Sequence, residues 1–117
     1  MTTSSQGRRF ESGLLSLESL LDGDTRTLRL SGELDLASAG ILEEALEEAL
    51  AGKGRIVLDL RQLTFIDSTG IAILINTIEL AKQGRDIRFL ASTAAAVTRV
   101  LALTGVQERL PLLDSSS

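Results

Sequence analysis

The chain has 117 residues, a usual length for one domain, and 44% of them are hydrophobic but only 3% aromatic, so its core must be aliphatic. It has no cysteine and no histidine, which excludes thiolate chemistry, the usual catalytic triads and most zinc sites. A formal net charge of −4 without a basic cluster argues against nucleic acid and anionic membrane as partners. The longest apolar run is too short to span a bilayer. We therefore expect a soluble, cytoplasmic protein of one domain.

The N-terminal part predicts a tail followed by a β-hairpin. Residues 1–9 have no hydrophobic periodicity and are expected to form a disordered tail before a domain over residues 10–113, with a frayed end at 114–117. The segments "SLESLL" and "TRTLRLSG" flank Asp22-Gly23-Asp24. An Asp-Gly step between two runs of apolar and polar residues is typical of a hairpin turn, so both segments are predicted to be strands.

Helices and strands alternate along the rest of the chain. Spacing and punctuation predict, in order, a helix over 38–51 with a Ser38 cap, a strand over 55–60, a helix over 69–83, a strand over 86–91, a helix over 93–103 capped by Ser92, and a short edge strand in "RLPLLD". The order β-β-α-β-α-β-α-β predicts an α/β layer fold with parallel crossovers.

Two polar features receive a structural interpretation. "GKG" at 52–54 lacks the spacing and the Ser or Thr of a phosphate-binding loop, so it is interpreted as the end of a helix. Four glutamates at positions 43, 44, 47 and 48 lie largely on one side of the first helix and are interpreted as its solvated face, with a metal or partner role as the less favoured alternative.

Asp67-Ser68-Thr69-Gly70 lies between a strand-like run and a run of isoleucines. One interpretation is a helix N-cap, which needs only one side-chain oxygen. Three adjacent polar side chains at a helix N-terminus also suit a phosphoryl group, because free N–H donors and the helix dipole favour negative charge there. Gly70 is expected to leave room for another molecule to approach. A serine nucleophile is disfavoured because no histidine or suitably placed lysine is evident to activate it.

Three stretches carry a family resemblance: "SGELDLASAGILEEALEEAL", "IVLDLRQLTFIDSTGIAILI" and "IRFLASTAAAVTRVLALTGV". In this order and spacing they resemble the STAS domain, and more closely the bacterial anti-sigma factor antagonists, over roughly residues 14–113. The resemblance implies a STAS fold, an α/β arrangement with a mixed, mainly parallel sheet of four to five strands packed with helices. Many relatives continue into another helix after the last strand, whereas this chain stops at "LLDSSS".

The resemblance also implies a partner-switching function in transcription regulation and stress response. The unphosphorylated antagonist binds an anti-sigma factor that is also a serine kinase, and so frees a sigma factor. The kinase phosphorylates the signature serine, matched here by Ser68, and a metal-dependent serine phosphatase restores it. Thr69 is the second choice for the phosphorylated residue. Asp35 and the turn from Asp67 to Gly70 match the partner-binding face of the family.

The helix after the signature is apolar on two sides. Ile71, Leu74, Ile75 and Ile78 are predicted to pack on the sheet, whereas Ile73 lies nearly opposite. Ile73 is either covered by a neighbouring helix or is an exposed anchor that docks into the kinase.

Two other functions stay open beside the partner switch. STAS domains also serve as unphosphorylated scaffold or accessory subunits in signalling or transport assemblies, and a small hydrolase using Ser68 is a more remote alternative. The partner switch implies that the chain is a substrate and not an enzyme. It implies no cofactor and no metal.

Overall fold

The computed structural model describes residues 5–113, which form five strands, three helices and one 3₁₀ turn. In chain order they are β1 Ser5–Ser12, β2 Leu15–Asp22, β3 Thr25–Leu34, α1 Ala39–Ala51, β4 Ile56–Ile66, α2 Ser68–Lys82, β5 Ile87–Leu90, α3 Ala95–Leu103 and the 3₁₀ turn Gln107–Arg109. The predicted alternation of strands and helices is confirmed. No helix in this range is both long and apolar enough to cross a bilayer.

The strands form one sheet in the order β1-β2-β3-β4-β5. The pairs β1–β2 and β2–β3 are antiparallel, and β3–β4 and β4–β5 are parallel. The predicted hairpin is confirmed: Asp22 pairs with Thr25, and Gly23 in the two-residue loop adopts φ 61°, which a residue without a Cβ reaches at no steric cost. The mixed sheet agrees with the predicted fold class. Because β1 adds a second antiparallel pair, the sheet has two antiparallel and two parallel pairs.

The prediction of a disordered tail over residues 1–9 is wrong for residues 5–9, which belong to β1. This strand pairs with β2 along its whole length, from Ser5 opposite Asp22 to Ser12 opposite Leu15. Its order comes from backbone pairing, which leaves no hydrophobic pattern in the sequence. Residues 1–4 and the predicted frayed end at 114–117 lie outside the described residues.

Strand β4 extends to Ile66, beyond the predicted 55–60, and its pairing with β3 contains two irregularities. Its register against β3 shifts between Arg29 and Ser31 and again between Gly32 and Glu33. These shifts let Leu60, Leu63 and Ile66, spaced three residues apart, all reach the core. A spacing of three does not read as a strand, which explains why the sequence pattern hid the second half of β4.

The core is aliphatic, as the composition predicted, with Phe89 the one aromatic side chain among the fully buried ones. α1 contributes Leu42, Leu46 and Ala49, and α3 contributes Val97 and Leu101. The predicted last strand is reduced to a single bridge between Leu112 and Phe89.

The sheet face opposite the core carries a line of charged side chains. Asp59 alternates with the core residues Leu58 and Leu60, so its side chain is on the other face, where it is only 3% exposed. Arg61 Nη2 and Arg29 Nε lie 2.8 and 3.4 Å from Asp59 Oδ2. Burial raises the pKa of the Asp59 carboxylate, but hydrogen bonds from Arg61 and the charges of Arg61 and Arg29 outweigh it, so this pKa lies below its usual value.

Candidate functional site

The signature turn lies where β4 ends and α2 begins, and Asp67 is the N-cap of α2. Its backbone is extended, with φ −110° and ψ −172°. One carboxylate oxygen, Oδ1, accepts hydrogen bonds from the backbone N–H of Thr69 at 2.9 Å and of Gly70 at 3.1 Å. Asp67 alone therefore satisfies two of the N–H groups that a helix N-terminus leaves without partners.

The second carboxylate oxygen of Asp67 connects the helix to a neighbouring loop. Oδ2 accepts a hydrogen bond from the backbone N–H of Leu36 at 3.2 Å, and the Asp67 N–H donates to the Leu34 carbonyl at 3.1 Å. Leu34 ends β3, and Leu36 lies in the loop that leads to α1. Asp67 thus joins α2 to the end of β3 and to the loop after it.

Ser68 is the first residue of α2, and its side chain is exposed. Its hydroxyl makes no hydrogen bond within residues 5–113, because Asp67 already caps the helix. Thr69, the second choice, is partly buried. Of the two hydroxyls in the signature, Ser68 is therefore the more accessible one for a partner or a modifying enzyme.

Gly70 is buried, and the expectation that it leaves room for another molecule is wrong. A Cβ at this position would lie 2.6 Å from Ile66 Cγ1 and 2.9 Å from Leu34 Cγ. The missing side chain lets the first turn of α2 approach the ends of β3 and β4. Gly70 positions the site and does not present a surface to a partner.

Asp35 is partly buried and holds the turn before α1. Its Oδ1 accepts hydrogen bonds from the Ser38 N–H at 3.1 Å and the Ser38 hydroxyl at 3.0 Å. Ser38 occupies the N-cap position as predicted, but its own hydroxyl does not cap α1. Asp35 Oδ2 accepts no hydrogen bond in the described part of the chain. The carboxylate therefore has a structural role in the turn, which the sequence interpretation had not given it.

Ile73 is 6% exposed and belongs to the core, so the interpretation of Ile73 as an exposed anchor is wrong. It lies between α1 and α2 beside Leu46 and Leu50, which confirms the alternative of a covering helix. On the predicted sheet side of α2, Ile71, Leu74 and Ile78 are buried, but Ile75 is only partly so.

Three exposed apolar side chains, which the sequence analysis missed, lie on the segments around the signature turn. Leu14 is 68% exposed, Leu36 77% and Phe65 43%. Leu14 is in the turn between β1 and β2, and its carbonyl accepts a hydrogen bond from the backbone N–H of Glu33 near the end of β3. We call these three residues the apolar rim. The signal was present in "DLAS", where a large leucine follows an aspartate in a loop.

The two chain segments that meet at the turn carry acidic side chains and no basic ones near it in sequence. No lysine or arginine occurs in residues 30–52 or 62–81, which contain the turn, α1 and all of α2 except its last residue, Lys82. No group of three or more potential metal ligands is assembled within residues 5–113. The site therefore combines a free hydroxyl, exposed apolar side chains and local carboxylates, an arrangement that suits contact with another protein.

Comparison with known proteins agrees with this architecture. The family model described as "Mlab, STAS domain" matches residues 18–114. An anti-sigma F factor antagonist from Paenibacillus polymyxa is 29% identical over 90 residues, covering 75% of this chain and 77% of that protein. The intermembrane phospholipid transport system binding protein MlaB from Escherichia coli (strain K12) is 42% identical over 73 residues, covering 62% of this chain and 71% of that protein.

A solved structure gives the same result for the fold. The crystal structure of an anti-sigma factor antagonist from Mycobacterium paratuberculosis superposes with a TM-score of 0.74 at 25% identity, covering 86% of each chain. The strands β3, β4 and β5, the three helices and the signature turn fall within the residues matched by the family model, whereas β1 and the start of β2 precede them. The chain belongs to the STAS domain family.

Proposed function

We propose that this protein is an anti-sigma factor antagonist controlled by phosphorylation of Ser68. In its unphosphorylated form it binds an anti-sigma factor that is also a serine kinase, and so releases a sigma factor in the cytoplasm. Phosphorylation of Ser68 ends the interaction, and a serine phosphatase reverses it. The protein is the substrate in this cycle and has no catalytic role of its own.

The observation that carries the proposal is the free hydroxyl of Ser68. In a simple capping motif the serine oxygen would be bound to backbone N–H groups, but here Asp67 makes those bonds and the serine side chain stays exposed. The apolar rim gives a partner contact area around this hydroxyl. Relatives named as antagonists support the same role.

The electrostatics explain how a phosphate acts as a switch. It adds about −1.5 to −2 charges beside Asp67. It cannot use the N–H groups of Thr69 and Gly70 unless it displaces the Asp67 carboxylate. No cation lies in residues 62–81 to neutralise it. Burying such a charge against a partner costs several kcal/mol, and about 1.4 kcal/mol is a tenfold change in affinity.

The proposal is tested by phosphorylation with the kinase that co-purifies with this protein from its native cells. Incubation with ATP is expected to place one phosphate on Ser68, located by mass spectrometry of the digest. Ser68→Ala is the matched control and is expected to abolish labelling without loss of folding. Labelling that persists in Ser68→Ala, or a phosphate on Thr69, contradicts the assignment.

Binding measurements test the charge switch separately. Ser68→Asp is expected to weaken binding to the anti-sigma factor kinase by at least about tenfold, because it adds a negative charge that the complex neutralises only in part. Ser68→Ala is expected to bind like the wild type and to resist release by ATP. Equal affinity of both folded variants would disprove the switch.

A second candidate function is an accessory subunit of a transport assembly. The relationship to MlaB, at 42% identity, and the description of the matching family model favour it. In that case Ser68 acts without modification as part of a binding surface. Co-purification of transporter subunits with a Ser68 that carries no phosphate, in native cells, would favour this function over the partner switch.

A further inference from the structure

A groove between α1 and α2 lies outside the signature site. It is lined by one stripe from each helix, at i, i+3, i+4 and i+7: Glu43, Leu46, Glu47 and Leu50 from α1, and Ile73, Asn76, Thr77 and Leu80 from α2. Both stripes are two helical turns long. The groove begins at Ile73, five residues beyond Ser68 along α2.

The floor of the groove is apolar, and its volume is about 190 Å³. Leu46 and Ile73 are buried beneath it, and Leu50 and Leu80 are partly exposed. Pockets for small molecules are usually larger, from about 300 Å³ upwards. The volume suits a few aliphatic side chains inserted from a partner. A groove lined over two turns of each helix has the length of a short apolar stripe on one amphipathic helix.

The edge of the groove is acidic. Glu43 and Glu47 are exposed, and neither forms an ion pair within residues 5–113. Arg85 is the first basic residue after α2. Its guanidinium donates to the Leu50 and Gly52 carbonyls at the end of α1, and it pairs with neither glutamate. The groove therefore offers two uncompensated carboxylates above an apolar floor.

We propose that this groove binds an amphipathic helix of a partner protein, with lysine or arginine beside its apolar stripe. Leucine or isoleucine side chains of that helix fill the space above Leu46 and Ile73. Its basic residues face Glu43 and Glu47. Asn76, which is exposed on the α2 side, supplies an amide to orient the helix.

The chain's own ends do not match this chemistry. Residues 1–4 and 114–117 contain no lysine or arginine, and Met1 is their only large apolar residue. α3 of a second copy has an apolar stripe but one arginine, Arg99. A partner helix with several basic residues fits the acidic edge of the groove better than the chain's own ends or α3 of a second copy.

Synthetic peptides of about 18 residues provide the test, because shorter isolated helices are marginal in water. The first carries leucines at i, i+3, i+4 and i+7 with flanking lysines, the second replaces the lysines by glutamates, and the third replaces the leucines by glutamines. Backbone amide shifts of the full chain are recorded by NMR during titration. We expect the first peptide alone to bind, with shifts confined to residues 43–50 and 73–80.

Matched variants separate the groove from general attraction to an acidic surface. Glu47→Lys is expected to weaken binding of the first peptide about fivefold. Glu44→Lys makes the same charge change on the same helix outside the groove and is expected to leave binding unchanged. Asn76→Arg, on an exposed position, is expected to block the groove without unfolding the domain.

Three outcomes overturn the proposal. They are equal weakening by Glu47→Lys and Glu44→Lys, shifts outside residues 43–50 and 73–80, or concentration-dependent shifts in these residues without peptide, which would assign the groove to a second copy. Ser68→Asp is expected to bind the peptide normally. The result is therefore independent of whether Ser68 is phosphorylated.

Discussion

Replacing Asp67 tests how the signature turn is held together. Asp67→Ala removes the two capping hydrogen bonds to Thr69 and Gly70 and the bond to the Leu36 N–H. Asp67→Asn keeps an oxygen for the cap, since asparagine caps helices as well as aspartate does. In Asp67→Asn, however, the side-chain NH₂ group, which is a donor, replaces the oxygen that accepts the hydrogen bond from the Leu36 N–H. The two variants therefore separate the cap from the connection to the loop.

The expected magnitudes follow from these contacts. Loss of an N-cap costs about 0.5–2 kcal/mol. Loss of the hydrogen bond to Leu36 costs about 0.5–1.5 kcal/mol, at the low end because Leu36 is exposed and its N–H can be hydrated. We expect Asp67→Ala to lower the free energy of unfolding by about 2 kcal/mol and Asp67→Asn by less than about 1 kcal/mol. For a domain of this size the first corresponds to a fall in Tm of about 8 °C.

Far-ultraviolet circular dichroism during urea and thermal unfolding gives both values, because the chain has no tryptophan or tyrosine for fluorescence. Ser68→Ala serves as the neighbouring control and is expected to stay within about 0.5 kcal/mol of the wild type. A loss in Ser68→Ala equal to that in Asp67→Ala would refute the assignment of the cap to Asp67. Equal losses in Asp67→Asn and Asp67→Ala would show that the loop connection, and not the cap, dominates.

Three further perturbations follow from the same structure. Gly70→Ala is expected to destabilise the domain by about 1–3 kcal/mol because its Cβ overlaps Ile66 and Leu34, and a wild-type Tm would show that the first turn of α2 shifts easily. Ile73→Asp is expected to unfold the domain, whereas Ala72→Asp on the exposed side is expected to fold; a folded Ile73→Asp would contradict its burial. Because the pKa of Asp59 is lowered in the folded state, its contribution to stability is complete above the unfolded-state value of about 3.9 and is lost as the pH falls through the folded-state value. The difference in stability between wild type and Asp59→Asn is therefore expected to shrink below about pH 4 in acid titrations followed by circular dichroism, and a constant difference would contradict the ion pairs with Arg29 and Arg61.

Elements with strong local signals were predictable from the sequence. The Asp-Gly turn and the amphipathic pattern of α1 each carry their information within a few residues, and both are confirmed. β1 was missed because its order comes from pairing with β2. Two sides of α2 are apolar because the helix lies between the sheet and α1, and the sequence could not say which side was covered by which neighbour.

The site was predictable in position but not in the division of roles. Three adjacent residues with side-chain oxygens could each cap a helix, and only the fold shows that Asp67 does so and leaves Ser68 free. The role of Gly70 depends on Leu34, which is distant in sequence and adjacent in space. Such contacts between separate strands leave no signal in the spacing of nearby residues.

The close approach of Gly70 to Leu34 and Ile66 has an entropic consequence for recognition. Ordering the backbone of one residue costs about 1–2 kcal/mol, and a flexible loop around an acceptor hydroxyl must lose this free energy each time a partner binds. Here the backbone of the turn around Ser68 is already fixed to the ends of two strands, so a partner that binds the turn would not have to order it. A binding surface that is ordered beforehand loses less conformational entropy on binding, so more of the interaction free energy appears as affinity.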